Sequence, residues 1–201
     1  MESIYGKYED TLEIVKNDIE ERFAYYQQMI FQKTGENGFE HILVRIKTDE
    51  SMRDKCRRKG LAESSESALS TVKDAIGVRI VCSFVDDVYN VVEYIKSFEN
   101  TEIIEEKDYI RHAKPNGYRS YHIILAVKTP HEDVFGNNPG TYYVELQIRT
   151  IAMDTWAALE HKMKYKKDIP NQELLVSELK RVADELASCD LSMQTIRDLI
   201  G

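Results

Sequence analysis

The segment TYYVELQIR, residues 141–149, carries the clearest strand signature in the chain. Val144, Leu146 and Ile148 fall on one side of it, and Tyr143, Glu145, Gln147 and Arg149 on the other. The apolar side predicts a buried sheet face. The polar side lines up a carboxylate, an amide and a guanidinium roughly 7 Å apart. On this strand alone, a solvated face of an antiparallel sheet explains that pattern as well as a binding site does.

Downstream, residues Ile151 to about Lys166 read as a helix that breaks at Pro170. In the last helix Leu175, Leu179, Val182, Leu186, Cys189, Met193 and Ile196 recur at 4-3 spacing, a seam that packs either on the first helix or on another subunit. Upstream lie a strand from Ser120 to Val127, the turn-rich loop AKPNGYR (113–119) and a short strand around Glu102 to Glu106. Before these come a helix holding Val88, Val91, Val92, Ile95 and Phe98, which Asp86 is placed to cap, and a strand from Ile76 to Phe84. Glu63 to Ser70 reads as a connector, and residues 49–60 as a short basic helix ended by Gly60. Phe39 to Ile46 alternates too loosely to be assigned as a strand. Residues 5–33 form an N-terminal helix, with Tyr5, Tyr8, Leu12, Val15, Ile19, Arg22, Tyr26 and Met29 stepping by threes and fours until Gly35 and Gly38. The expected architecture is α+β, a mixed sheet flanked by helices. It forms one domain over 1–201, with the N-terminal helix at 5–33, a core at 40–167 and the C-terminal helix at 171–199.

With 201 residues and 42% apolar content the chain can bury one core and not two large ones. No apolar run approaches the roughly 18 residues of a membrane span, and the opening MESIYGKYED has no signal-peptide pattern. Cys56, Cys82 and Cys189 are odd in number and widely spaced, which fits neither a disulfide framework nor a metal knuckle. A cytoplasmic protein without membrane association is expected. The net charge of -8 argues against a protein that coats a nucleic-acid backbone. Positive charge gathers instead at 45–59 and 162–167, and such a local basic cleft suits a small polyanion.

Four segments place polar groups where a core would take apolar ones. The first is the strand 141–149. Asp74, in KDAIGVRI (73–80), precedes a strand that carries Arg79. Lys114, Asn116, Gly117, Tyr118 and Arg119, followed by His122, could build a stacking platform for a base. Arg45, Lys47, Lys55, Arg57, Arg58 and Lys59 bring like charges together on a helix face, where they repel unless an anion lies there. A cap, a turn and a solvated helix would account for each one separately. No Walker-type loop, GxGxxG or HExxH occurs in the sequence. In combination the segments suit phosphoryl or pyrophosphoryl transfer, which needs cations around phosphates and one or two carboxylates for magnesium.

The stretches VRIK (44–47), KDAIGVRI (73–80), KPNGYRSYH (114–122), VELQIRT (144–150) and ALEHKMKYK (158–166) resemble, in order, the synthetase signature of the RelA/SpoT family. In length and layout the chain is similar to that family's single-domain small alarmone synthetases. The resemblance implies a nucleotidyltransferase-like synthetase fold with N- and C-terminal helices. It implies transfer of the β,γ-pyrophosphate of ATP to the 3′-hydroxyl of GDP or GTP, with GMP a further candidate, giving ppGpp or pppGpp and AMP in the stringent response. It further implies that Asp74 and Glu145 bind Mg2+, Glu145 also helping to activate the 3′-hydroxyl. Arg45 and Arg79 would flank the adenine or phosphates of ATP, Lys47, Lys55, Arg57 and Arg58 would neutralise polyphosphate, and Ser51 would lie near the donor phosphates. Tyr118 would stack on guanine, with Lys114, Asn116 and His122 around the acceptor and Gln147 and Arg149 as the pocket floor. Asp154 stands, in the turn after IRT, where many small synthetases have an asparagine that contacts guanine. Glu160 and His161 match a helical motif without an assigned role.

The chain has no room for the hydrolase domain of the long family members, so it is expected to synthesise and not to degrade. A homo-oligomer is also implied, a tetramer foremost, and some members bind RNA. Two alternatives stay open: a toxic relative acting on the 3′ end of tRNA or on an adenine nucleotide, and a catalytically silent nucleotide- or RNA-binding regulator. A purely structural oligomerisation protein would explain the terminal helices but not the polar strand.

Overall fold

A computed structural model describes residues 3–164 and 171–200. Among these residues five strands make one mixed sheet: β1 (His41–Ile46), β2 (Ile76–Cys82), β3 (Thr101–Asp108), β4 (Tyr121–Thr129) and β5 (Gly140–Thr150), in the order β1-β2-β5-β4-β3. The strand that alternates most cleanly, β5, takes the centre. It runs parallel to β2 and antiparallel to β4. Its Tyr142, Val144, Leu146 and Ile148 are buried together with Ile76, Val78 and Ile80 of β2 and Ile123, Leu125 and Val127 of β4. That face is closed by α1 (Glu9–Thr34) and α3 (Val85–Lys96), whose Phe23, Tyr26 and Tyr94 form an aromatic cluster with Phe98, just past the end of α3, the ring centroids of touching pairs lying 4.5–6.2 Å apart.

Several expectations need correction. Phe39 to Ile46 does contain a strand, β1, paired antiparallel with β2 from His41↔Val81 to Ile46↔Ile76. It is an edge strand with no fully buried residue, so its alternation is weak and β2 supplies the register. Asp86 does not cap α3. The N-cap is Phe84, and Asp86 lies in the first turn, where its acid favours the helix dipole. The connector at 63–70 runs into a π-helical turn, Ser67–Thr71, whose Ala68 and Leu69 join the core. The short basic helix is α2 (Asp49–Arg58), opened by Thr48, which accepts from the Ser51 N–H, and followed by Gly60 at φ +68°.

The helix after β5 is α4 (Ile151–Lys164); the expected end near Lys166 and the basic residues beyond 164 lie outside the described residues. The last helix, α5 (Gln172–Ile200), packs on α4 and α3. Of the 4-3 seam Leu179 is buried and Leu175 and Leu186 pack beside it, while the other buried positions, Ala183 and Asp190, lie off the seam. Val182, Cys189, Met193 and Ile196 of that seam face solvent. The spacing marked an apolar stripe correctly, but α4 takes its flank. Leu179 and Ala183 close on Trp156, whose Nε1–H donates to the Leu179 carbonyl at 2.8 Å, while Thr150 donates to the buried Asp190 at 2.6 Å. Among the described residues no helix is long and apolar enough to cross a membrane.

Candidate active site

The sheet face opposite α1 and α3 is polar, and strand register decides what meets there. Residues paired across neighbouring strands share a face, so two rows cross the sheet. One row is Leu43, Arg79, Gln147, His122 and Lys107; the other is Arg45, Gly77, Glu145, Ile124 and Glu105. Positions scattered over more than a hundred residues thereby line one trough. At Gly77 an added Cβ would meet nothing within 4 Å, which leaves a cleft between Arg45, Arg79, Glu145 and Gln147.

At the head of β2, Asp74 is 6% exposed and binds the ammonium groups of Lys47 and Lys55 through Oδ2. Its Oδ1 is buried without a hydrogen-bond partner. Burial pushes the Lys47 pKa down, against the raising effect of Asp74 and, more weakly, of Glu145, so the Lys47 ammonium feels both carboxylates. An orphaned carboxylate oxygen, with Glu145 acting on the same Lys47, fits a hard divalent cation that draws its other ligands from phosphates. Among the described residues no group of three or more His, Cys, Asp or Glu is arranged to hold a metal.

The like-charge repulsion expected along α2 is relieved by the protein itself. Lys55 turns to Asp74, Arg58 pairs with Asp54 at 2.9 Å, and Arg57 pairs with Glu63 at 3.1 Å. Lys47 and Lys55 therefore enter the site, while Arg57 and Arg58 are exposed and paired away from Asp74. Ser51 stays exposed beside Thr48.

At the other end of the trough Arg149 is 5% exposed and acts as a hub. It donates through Nη1 to Asp154 (3.0 Å), through Nη2 to Tyr118 Oη and Gln147 Oε1 (both 2.7 Å), and through Nε to Ser120 (3.3 Å). Gln147 passes the link on to Glu145 at 3.3 Å. Tyr118 Oη accepts from Arg149 and also lies 2.8 Å from His122 Nε2, in a hydrogen bond whose donor is set by the imidazole tautomer. Burial, reinforced by the charges of Arg149, Lys114 and Lys107, lowers the His122 pKa to about 4.

The loop carrying Tyr118 is seated on α4 and α5. Asn116 donates to Glu160 at 3.2 Å, Arg119 reaches the Ala183 carbonyl and Asp184, and Gly117, at φ +89°, lies so close that a Cβ would sit 2.5 Å from that of Ala183. Lys114 and Arg149 lie over the Tyr118 ring at 4.9 and 5.3 Å, and Trp156 meets its edge at 6.2 Å.

The model of the region found in RelA and SpoT proteins matches residues 44–170, which hold every charged residue described in this trough up to α4. The chain belongs to the RelA/SpoT family. It is 42% identical over 165 residues to the GTP pyrophosphokinase YwaC of Bacillus subtilis, covering 81% of this chain and 76% of that protein. Among solved structures it is similar to the small alarmone synthetase 2 of B. subtilis (39% identity, TM-score 0.75, 90% and 92% of the two chains). It is also similar to the small alarmone synthetase 1 of the same organism bound to its product pppGpp (29% identity, TM-score 0.76, 96% and 94%).

The chain gathers Lys47 and Lys55 on Asp74 at one end of the trough and Lys114, Tyr118, His122 and Arg149 at the other, with Arg45, Arg79, Glu145 and Gln147 lining the cleft between them and Asn116 turned to Glu160. Asp154 lies in the first turn of α4 rather than in a turn before it, and is ion-paired with Arg149 and, at 3.6 Å, with Arg79. Glu160 gains a place through Asn116, whereas His161 is exposed. Three residues of this site had no sequence signal: Lys107, placed beside His122 by pairing; Tyr109, whose ring lies 5.3 Å from that of His122; and Trp156.

The neutral His122 has a measurable consequence. Its folded pKa lies below the usual 6.5, so the unfolded chain binds the extra proton between these values. Stability from this site is full above about pH 6.5 and is lost as pH falls toward 4, by an amount on the order of 3 kcal/mol. Thermal melts between pH 7 and pH 4.5 should show this slope, and His122→Gln should flatten it. An unchanged slope would remove His122 from the account.

Proposed function

We propose that the protein is a pyrophosphokinase that moves the β,γ-pyrophosphate of ATP to the 3′-hydroxyl of GDP or GTP and releases AMP. The observation that carries this reading is the shared trough. A carboxylate–lysine cluster at Asp74 and an aromatic–arginine cluster at Tyr118 stand on either side of Glu145, on one sheet face, in a chain similar to a structure that holds pppGpp. Lys47 and Lys55 neutralise the donor polyphosphate, and Arg45 and Arg79 flank the adenine. Tyr118 offers its ring to the guanine, with Lys114, Asn116 and His122 around the acceptor. Asp74 and Glu145 would hold Mg2+, which supplies charge neutralisation on the phosphates when bound.

In the transfer the 3′-oxygen forms a bond to the β-phosphorus while the bond from that phosphorus to the α,β-bridging oxygen breaks. AMP leaves with the bridging oxygen, and Glu145 takes the hydroxyl proton. Gln147 holds Glu145 on the trough floor for this step.

The direct test offers ATP labelled in its terminal phosphate, with magnesium, to GDP, GTP, GMP, ATP and deacylated tRNA in parallel. Label on a guanine nucleotide with stoichiometric AMP supports the reading. Label on tRNA or adenine nucleotide alone replaces it with a different acceptor, and no transfer at all leaves a binding protein.

Tyr118→Ala should weaken acceptor binding roughly ten- to hundredfold, since a stacking surface contributes about 1–3 kcal/mol. Tyr118→Phe keeps the ring and should stay within a few-fold of the parent. Calorimetric titration with GDP checks both, and equal affinity in Tyr118→Ala would exclude stacking.

A further inference from the structure

Asp154 touches cations from both sides of the trough. Its Oδ1 lies 3.0 Å from Arg149 Nη1, on the acceptor side, and 3.6 Å from Arg79 Nε, on the donor side. Arg149 is buried and Arg79 is 38% exposed at its side chain, so the first is fixed and the second can move toward a ligand. We propose, resting on the function above, that Asp154 is a positioning residue that couples the two nucleotide subsites, rather than a reader of guanine.

The coupling follows from charge sharing. Without donor, one carboxylate serves two guanidinium groups. When ATP draws Arg79 onto its adenine or phosphates, the whole charge of Asp154 returns to Arg149. Arg149 in turn fixes Tyr118 Oη and Gln147 Oε1, and Gln147 orients Glu145. Donor binding thus firms the acceptor platform and the group that takes the acceptor's proton. Linkage requires the reverse as well: acceptor binding strengthens donor binding by the same factor. Had Asp154 met Arg149 alone, no path of this kind would exist.

The test is calorimetric titration of the purified full chain with GDP, in magnesium, without and with saturating α,β-methylene ATP, in which the scissile bridge is blocked. In the parent GDP should bind about tenfold tighter when the donor analogue is present, within the range of ordinary coupling between sites. Asp154→Asn keeps the shape and removes the charge, and its ratio should fall to within about twofold of one. Arg79→Gln breaks the same link from the other end, leaves the Asp154–Arg149 pair intact, and should lose the ratio too; the double variant should lose no more. A base-reading role predicts a different outcome: Asp154→Asn would shift GDP affinity, up or down, equally with and without donor and keep the ratio, which overturns the proposal. A parent ratio near one, or a full ratio in Arg79→Gln, overturns it as well. If Asp154→Asn does not fold, Arg79→Gln decides. If the parent binds neither nucleotide, the functional reading falls and this inference with it, whereas binding and turnover without coupling reject the inference alone.

Discussion

Glu145→Gln is expected to lower turnover by about a thousandfold or more while leaving the melting temperature and GDP affinity close to those of the parent. Glutamine matches the shape of Glu145 and can keep the contact with Gln147, but it can neither accept the 3′-hydroxyl proton nor bring a charge to a cation. Glu145 pairs with Gly77, where an added Cβ would meet nothing within 4 Å, so its carboxylate borders open space in the cleft. Single-turnover measurement with labelled ATP is the appropriate check, because it separates loss of chemistry from loss of binding. Activity within a few-fold of the parent would show that another group takes the proton.

Asp74→Asn should be comparably severe for a different reason. Asp74 is the counter-charge of Lys47 and Lys55, and Lys47 is already pushed toward neutrality by burial. Asparagine leaves two adjacent ammonium groups without that carboxylate, which should lower stability by about 1–3 kcal/mol as well as cut turnover by at least about a hundredfold. Raising the magnesium concentration should restore part of the turnover if Asp74 contributes to holding the ion. Thermal melts and a magnesium titration of activity read the two effects separately. A variant with parental activity and an unaltered magnesium requirement would take Asp74 out of the site.

The sheet was legible where one strand carried both signals. In β5 the two faces differ so strongly that the strand and its buried side follow from the alternation, whereas its central place and direction come from its pairing with β2 and β4. β1 was not legible, because an edge strand is half buried and its register lies in β2. The terminal helix shows the same limit: a 4-3 spacing gives a stripe but not its partner, and Trp156, which settles the partner, stands alone in the sequence. Most of the site residues were in view because short motifs held them. The network was not. Asp154 and Arg149 are five residues apart, but Arg79 and Tyr118 reach them only through the β2–β5–β4 register, and a basic run such as 55–59 cannot say which of its cations face the trough and which are paired elsewhere.

The chain holds a single tryptophan, and it is the residue that joins α5 to the edge of Tyr118. The protein therefore carries its own optical probe at the Tyr118 loop. Its emission, free of any competing indole, reports a change at that loop or in α5 with no label attached.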